Sequence, residues 1–416
     1  MTPPMKHHHL LPCFPTETEV LEQLSWAGTE LLEEFWREIH RRGTPIWDPT
    51  GVRATFFWRN PSGTIPPDGE PVHLHINRVS DGENHELGFM CAVPGTDIWV
   101  RTLDLSPTLQ ASYSFAPLGQ HPGLPRHNHY PNLIDPCSSQ PPLIHSAEGH
   151  GLSLLSGKLS PRQTEWQHPG KLRGKVIRGE LPLGNGAGET PTRPCHLYLP
   201  DSHTPVALLT LFDAEIWFGH LNLPQALENA QELGRIPPVA VLGIENLDQA
   251  DRFQVLGANP DFLSSLADTA TTWAQQQAES AGIRLQGREG RLIAGQSLGG
   301  LSALLAAHLQ PEVYGTAICQ SPSLWWTPDG ASTPRDFGSR SLDWIAEESA
   351  LRPARSTQVH LDVGLREGLT LPRTHQLNQL LCAKGWSSQV NTYDGGHDFA
   401  CWRGALIDQL AQSLAS

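Results

Sequence analysis

Leu292-Ile293-Ala294-Gly295-Gln296-Ser297-Leu298-Gly299-Gly300 joins an apolar run to a serine flanked by glycines. An apolar run that ends in Gly-x-Ser-x-Gly and continues into Leu301-Ser302-Ala303-Leu304 predicts a strand, a tight turn and a helix. Glycines flanking Ser297 allow a turn where larger side chains would collide, and the turn lifts the hydroxyl above the sheet. The helix N-terminus behind it favours a developing oxyanion. Ser297 is therefore the candidate nucleophile. The bare motif is common by chance, and its place between strand and helix is what gives it weight.

Working outward, apolar runs recur at 206–212, 239–244, 291–294, 316–319, 359–363 and 389–393. Helix-length segments lie between them, including 224–233, 262–278, 298–309, 374–384 and 402–414. This alternation predicts a mostly parallel sheet with helices on both faces over 176–416, and the Gly-x-Ser-x-Gly turn within it points to an α/β hydrolase fold. Residues 1–175 read differently. A helical pattern over 17–42 is followed by short strand-like runs at 55–59, 72–76, 96–105 and 110–115, which predict an antiparallel β-sandwich. Residues 116 to about 175 are dense in Pro, Gly, His and Asn and read as a connector.

A serine nucleophile needs a base, and in this fold the chain order is Ser, acid, His. Asp394-Gly395-Gly396-His397-Asp398 follows the last strand, so His397 is the candidate base. The acid belongs after the penultimate strand, where Glu367 is the first choice and Asp362 the alternative. The acid would hold the imidazole tautomer and stabilise the imidazolium. One oxyanion donor is expected from the Leu298 N–H. The other is expected from the loop after Phe212, at Ala214, with Glu215 next to it. Most other histidines read as surface or packing groups. His73 and His75, His127 and His129, and His7 to His9 lack the further ligands a metal site needs.

Composition narrows the function. The formal charge is −14, from 29 Lys and Arg against 43 Asp and Glu, which disfavours nucleic acid and an anionic membrane surface. No run approaches the roughly 18 apolar residues of a spanning helix. The N-terminal stretch lacks the apolar core of a signal peptide. Seven cysteines without a CxxC pair suit reduced thiols. The expectation is a cytoplasmic protein.

The C-terminal 394–398 motif, continued by Cys401-Trp402-Arg403-Gly404, resembles the signature of the cytoplasmic enterochelin (ferric enterobactin) esterases. Gly295 to Leu304, Gln320-Ser321 with Ser323 and Trp325-Trp326, and Gly364 with Arg366-Glu367 are similar to that family in order and spacing. So are Asp213 with Trp217, and Arg252 with Leu256, Asn259, Asp261 and Phe262. The N-terminal half resembles it more thinly, at Thr55 to Arg59, Gly95 to Trp99, Ser112 to Phe115 and Ile134-Asp135-Pro136. The resemblance implies an Ig-like, early-set sandwich followed by the hydrolase domain. It implies hydrolysis of the esters of a cyclic tri-catecholate trilactone siderophore, with iron entering only as part of the substrate and no cofactor required. Pro322, Leu324 and Ala214 depart from the family pattern, where glycine, an aromatic and glycine would stand.

An iron tris-catecholate is a trianion with flat rings, which guanidinium groups and aromatic faces recognise by charge and stacking. Arg252, Arg366 and Arg403, with Trp217, Trp325 and Trp326, are the candidate substrate contacts; Trp402 stands with them in the sequence. Competing readings are a feruloyl or carbohydrate esterase with the same triad, and a siderophore-binding protein with an inert hydrolase-like domain.

Overall fold

The computed structural model describes residues 14–59, 71–118, 132–146, 150–167, 170–186, 188, 190–340 and 343–415. His7 to His9, His127 and His129 lie outside them. The chain forms two compact units. One runs up to Arg162 and includes Asp398–Ala400; the other comprises Gln163–His397 and Cys401–Ser416.

The first unit begins with helices α1 (Glu17–Leu24) and α2 (Thr29–Arg42). The sequence pattern predicts one helix here. It breaks because Trp26 takes a positive φ of 63° and Gly28 serves as the N-cap of α2. Eight strands follow. They are β1 (Ile46–Trp47), β2 (Arg53–Arg59), β3 (Val72–Ile76) and β4 (Cys91–Ala92). The others are β5 (Ile98–Asp104), β6 (Gln110–Pro117), β7 (Ile144–His145) and β8 (Gly151–Ser156). They form two four-stranded sheets, ordered β1-β2-β5-β4 and β3-β6-β8-β7. Phe56 and Trp58 of β2 join Leu74, Trp99, Tyr113 and Leu155 in a core drawn from both sheets. Phe57, one residue out of phase, packs instead with Val20, Phe35 and Ile39 of the helices. Period-two alternation thus explains a strand that is apolar on both faces. Strands β7 and β8 fall within the stretch expected to be a connector. Gly, Ser and His among their residues hide a strand whose Leu154 and Leu155 are buried.

The second unit is an eight-stranded sheet. Its strands are β9 (Lys175–Pro182), β10 (Thr192–Leu199), β11 (Ala207–Phe212) and β12 (Val239–Ile244). β13 (Arg291–Gln296), β14 (Thr316–Gln320), β15 (Gln358–Gly364) and β16 (Ser388–Tyr393) complete it. The order is β16-β15-β14-β13-β11-β12-β10-β9. β11 to β16 run parallel, as their continuous apolar runs predict. The antiparallel β9–β10 pair is absent from the apolar pattern because edge strand β9 is largely exposed, and because Arg193, Pro194 and His196 interrupt the apolar residues of buried β10. The helices used below are α3 (Leu223–Glu232), α4 (Gln249–Leu256), α5 (Pro260–Ser265), α6 (Thr271–Ser280) and α7 (Leu298–Leu309). After them come α8 (Trp344–Leu351), α9 (Thr370–Ala383) and α10 (Phe399–Leu414). The helix expected over 262–278 is split by a π-helical turn at Leu266–Ala270 between α5 and α6. A parallel sheet delivers all its strand ends to one edge, where β11, β13, β14, β15 and β16 hand over to the loops that carry the candidate residues.

Candidate active site

Ser297 sits at that edge as the N-cap of α7, with φ 58° and ψ −119°. A positive φ on a non-glycine residue costs of order 1–3 kcal/mol and persists only where surroundings impose it. Here they do. A Cβ on Gly295 would lie 2.5 Å from the Gly299 carbonyl carbon, and one on Gly300 would lie 2.8 Å from the Gln320 oxygen. Gly299 itself has room, its nearest neighbour being Phe212 at 3.4 Å. The Ser297 N–H donates to Gln320 O at 2.9 Å, and the Ser297 carbonyl accepts from the Ser323 N–H at 3.0 Å. The Ser297 hydroxyl lies 3.1 Å from the Ser323 hydroxyl.

His397 Nδ1 lies 2.9 Å from Glu367 Oε2, and the imidazole stands edge-on to Trp402 with centroids 4.8 Å apart. The Glu367 carboxylate is fully buried while the imidazole is one-third exposed. Burial works to raise the Glu367 pKa. The hydrogen bond and charge of His397 outweigh it, together with the Ser321 hydroxyl and the Gly364 N–H, and hold it below the ordinary carboxylate value. Asp362, the other candidate acid, faces amides instead. Gln409 donates to its Oδ1 from Nε2, and Asn391 does so at 3.3 Å. Its burial pushes the carboxyl up to about 7.

The first N–H groups of α7 have no intrahelical partners, which aims the Leu298 N–H out of the helix end beside Ser297. Across the edge, Asp213 takes a positive φ of 56°, and buried Ala214 precedes a π-helical segment, Glu215–His220. Asp213 fixes this loop. It receives Arg252 Nε at 2.6 Å and a terminal guanidinium nitrogen at 2.9 Å, Asn246 Nδ2 at 2.7 Å, and Gln296 Nε2 from the residue before Ser297. Asn246 also donates to Glu215 at 2.8 Å. A cavity of about 860 Å³ opens beside Glu215, lined by His196, Phe218 and Glu245 among others. Ser297, Glu367 and His397 do not line it, so it is not where the triad would act.

The candidate substrate contacts divide. Trp217 is fully buried and its indole N–H donates to Gln296 Oε1 at 3.2 Å, so it braces the end of β13 and has no face for a ligand. Arg403 is 6% exposed; its Nε donates to Gln163 Oε1 at 2.6 Å and its guanidinium lies over Trp166. It packs a corner of the unit. Both placements have one cause: nearness to a motif in sequence does not say which way a side chain points. Arg252 and Arg366 remain partly exposed, yet each is ion-paired, the latter to Asp394 at 2.9 Å. Trp325 and Trp326 are half-buried, with Trp326 edge-on to Trp344. Ser321, Tyr393 and Asp213 carry no role in the sequence reading and prove central here. Their contacts join three or more strand ends, which no local motif signals.

Among the described residues, no group of three His, Cys, Asp or Glu is placed to hold a metal ion, and no helix is long and apolar enough to cross a membrane. Two family models match the chain. One, described as "Putative esterase", covers residues 191–413, and one, described as "Enterochelin esterase, N-terminal", covers residues 53–166. The chain is 35% identical to the iron(III) salmochelin esterase of Escherichia coli O6:H1, over 93% of this chain and 95% of that one. It is 27% identical to the iron(III) enterobactin esterase of Dickeya dadantii, over 90% and 91%. The fold is shared with the solved ferric enterobactin esterase of Salmonella typhimurium, with a TM-score of 0.76 at 24% identity over 92% of this chain and 98% of that one.

Proposed function

Because the chain belongs to the enterochelin esterase family, we propose that it hydrolyses the trilactone backbone of ferric tri-catecholate siderophores and so releases iron in the cytoplasm. The chain is a carboxylic ester hydrolase by its family. The substrate class rests on the relatives, which are named for iron(III) salmochelin and iron(III) enterobactin.

The observation that carries the mechanism is the His397–Glu367 pair on the same strand edge as the strained Ser297 turn. In this reading Ser297 Oγ attacks a lactone carbonyl and His397 Nε2 takes its proton. Leu298 and Ala214 N–H groups hold the oxyanion, a donor of this kind being worth about 3 kcal/mol. The tetrahedral intermediate collapses, the scaffold alkoxide leaves with the proton from His397, and an acyl-enzyme remains. Water, deprotonated by His397, then releases the acid and restores Ser297. Glu367 holds the imidazole throughout. The iron belongs to the substrate, and the chain's own groups perform every step.

Arg252 and Arg366 flank this edge. Since Asp213 and Asp394 balance their charge, they serve the trianion through their remaining N–H donors, and the half-buried Trp325 and Trp326 offer rings for stacking. Product analysis with ferric and iron-free trilactones tests the proposal. Wild-type enzyme should yield linear and cut products, and Ser297→Ala should bind the ferric ligand without cleaving it. Turnover retained by Ser297→Ala would remove Ser297 as nucleophile.

A further inference from the structure

Behind the Glu367–His397 pair lies a closed ring of contacts, all within the second unit. Ser321 stands at the end of β14 with φ 43° and is fully buried. Its Oγ lies 2.6 Å from Glu367 Oε1, 2.9 Å from the Trp402 indole nitrogen and 3.1 Å from the Tyr393 hydroxyl. The Trp402 ring meets the imidazole of His397 edge-on. Trp402 is itself tied down, since its carbonyl accepts from Gln320 Nε2 at 2.9 Å.

The chemistry of these groups fixes the direction of every bond. An indole N–H can only donate, and an ionised carboxylate can only accept. Ser321 must therefore accept from Trp402 and give its single proton to Glu367 Oε1. With that proton spent, the Tyr393 hydroxyl points its own towards Ser321 or Glu367 Oε1, the latter 3.4 Å away. The Gly364 N–H donates to the same oxygen at 2.8 Å. Oε1 is thus filled from behind, and Oε2 is left for His397 Nδ1.

We propose that Ser321 and Trp402 are positioning residues, forming a one-way hydrogen-bond relay that locks the Glu367 carboxylate in the rotamer that orients His397. The relay makes Trp402 act twice, through its N–H on the acid by way of Ser321 and through its ring packed across the imidazole. It also gives the positive φ of Ser321 a purpose, because that backbone turns the hydroxyl towards Glu367. A carboxylate without the relay can rotate, and a misplacement of the base by about 1 Å can cost on the order of 100-fold in rate. The proposal rests on the triad reading above.

The test uses the full chain and p-nitrophenyl butyrate, whose hydrolysis needs the triad but not the siderophore. Labelling of Ser297 by a fluorophosphonate comes first; wild-type enzyme that takes no label overturns the triad and the relay with it. Given labelling, Ser321→Ala should lower kcat roughly 10- to 100-fold with KM within about twofold. Trp402→Phe keeps an aromatic ring beside the imidazole and removes the N–H together with the rest of the pyrrole ring, so it should lower kcat by a smaller factor. Because both changes act through one hydroxyl, the double variant should be no slower than Ser321→Ala alone. Losses that multiply in the double variant, or that fall on KM, overturn the relay while leaving the triad standing. The low-field proton resonance of His397 Nδ1–H provides the second readout. It should move upfield in Trp402→Phe, and a resonance that stays in place overturns the relay even where Ser321→Ala fails to fold.

Discussion

Glu367 gives its two oxygens to different partners: Oε2 lies 2.9 Å from His397 Nδ1, while Oε1 is enclosed by Ser321 and the Gly364 N–H. Asp362, five residues earlier in the chain, points away into a nest of amide side chains. Two carboxylates at one strand end have been sorted by environment into an ionised orienting group and a core group with a raised pKa.

Exchanging the two carboxylates for amides separates their roles. Glu367→Gln removes the charge facing the imidazole and favours the wrong tautomer, so kcat should fall about 10³- to 10⁴-fold. Asp362→Asn should leave kcat within about threefold, because its contacts are structural. Steady-state kinetics on a single ester substrate checks both, and a large kcat loss in Asp362→Asn with Glu367→Gln active would reverse the assignment.

The turn at Ser297 predicts an asymmetry between its glycines. In Gly295→Ala the new methyl meets backbone atoms of Gly299 at 2.5–2.8 Å, which cannot give way without opening the turn. The cost should be about 1–3 kcal/mol of stability, with kcat reduced alongside it. Gly299→Ala meets nothing closer than 3.4 Å and lies in the first turn of α7, so stability should hold or rise by a few tenths of a kcal/mol. Denaturant unfolding of the two variants is the measurement.

The loop at Ala214, where the proposed second oxyanion donor lies, has a similar pressure point. A Cβ on Gly243 of β12 would lie 2.8 Å from the Ala214 Cβ and 2.6 Å from the Phe218 ring. Phe218 can swing aside, but Ala214 is fully buried and its movement carries its N–H with it. Gly243→Ala should therefore lower kcat by roughly 10- to 100-fold, with a smaller change in KM. An unchanged kcat would place the second oxyanion donor elsewhere.

These sites differ in how much of them the sequence shows. Ser297, Glu367 and His397 are legible because each follows a strand of a parallel sheet, and periodicity alone finds those strands. The pair β9 and β10 is not, since exposed edge strand β9 has little apolar signal and polar residues interrupt that of β10. Arg403 and Trp217 read as ligand contacts because sequence gives the position along an element and not the face. Both turn inward, one onto Gln163 and Trp166, the other onto Gln296. Ser321 enters the sequence reading only as part of a resemblance. Its role depends on a backbone angle and on partners 46 and 81 residues away, which no local pattern encodes.

Asp362 makes stability depend on pH with a definite sign. Its carboxyl is fully buried and is pushed up to about 7 by that burial, against 3.8 for the ordinary group. Between those values the folded chain holds a proton there that the unfolded chain has lost. More protons on the folded state mean that stability falls as pH rises. The loss should begin near pH 4, continue through pH 7 and level off above it. It should amount to up to about 4 kcal/mol, each tenfold difference in proton affinity being worth ~1.4 kcal/mol. Other groups titrate over the same range, so the contribution is read as a difference. Asp362→Asn cannot titrate and keeps an oxygen for the Gln409 amide. Urea unfolding of wild type and variant at pH 5 and pH 8 should show the wild type losing more stability between the two. Parallel pH slopes would mean that the buried carboxyl does not take up its proton in that range.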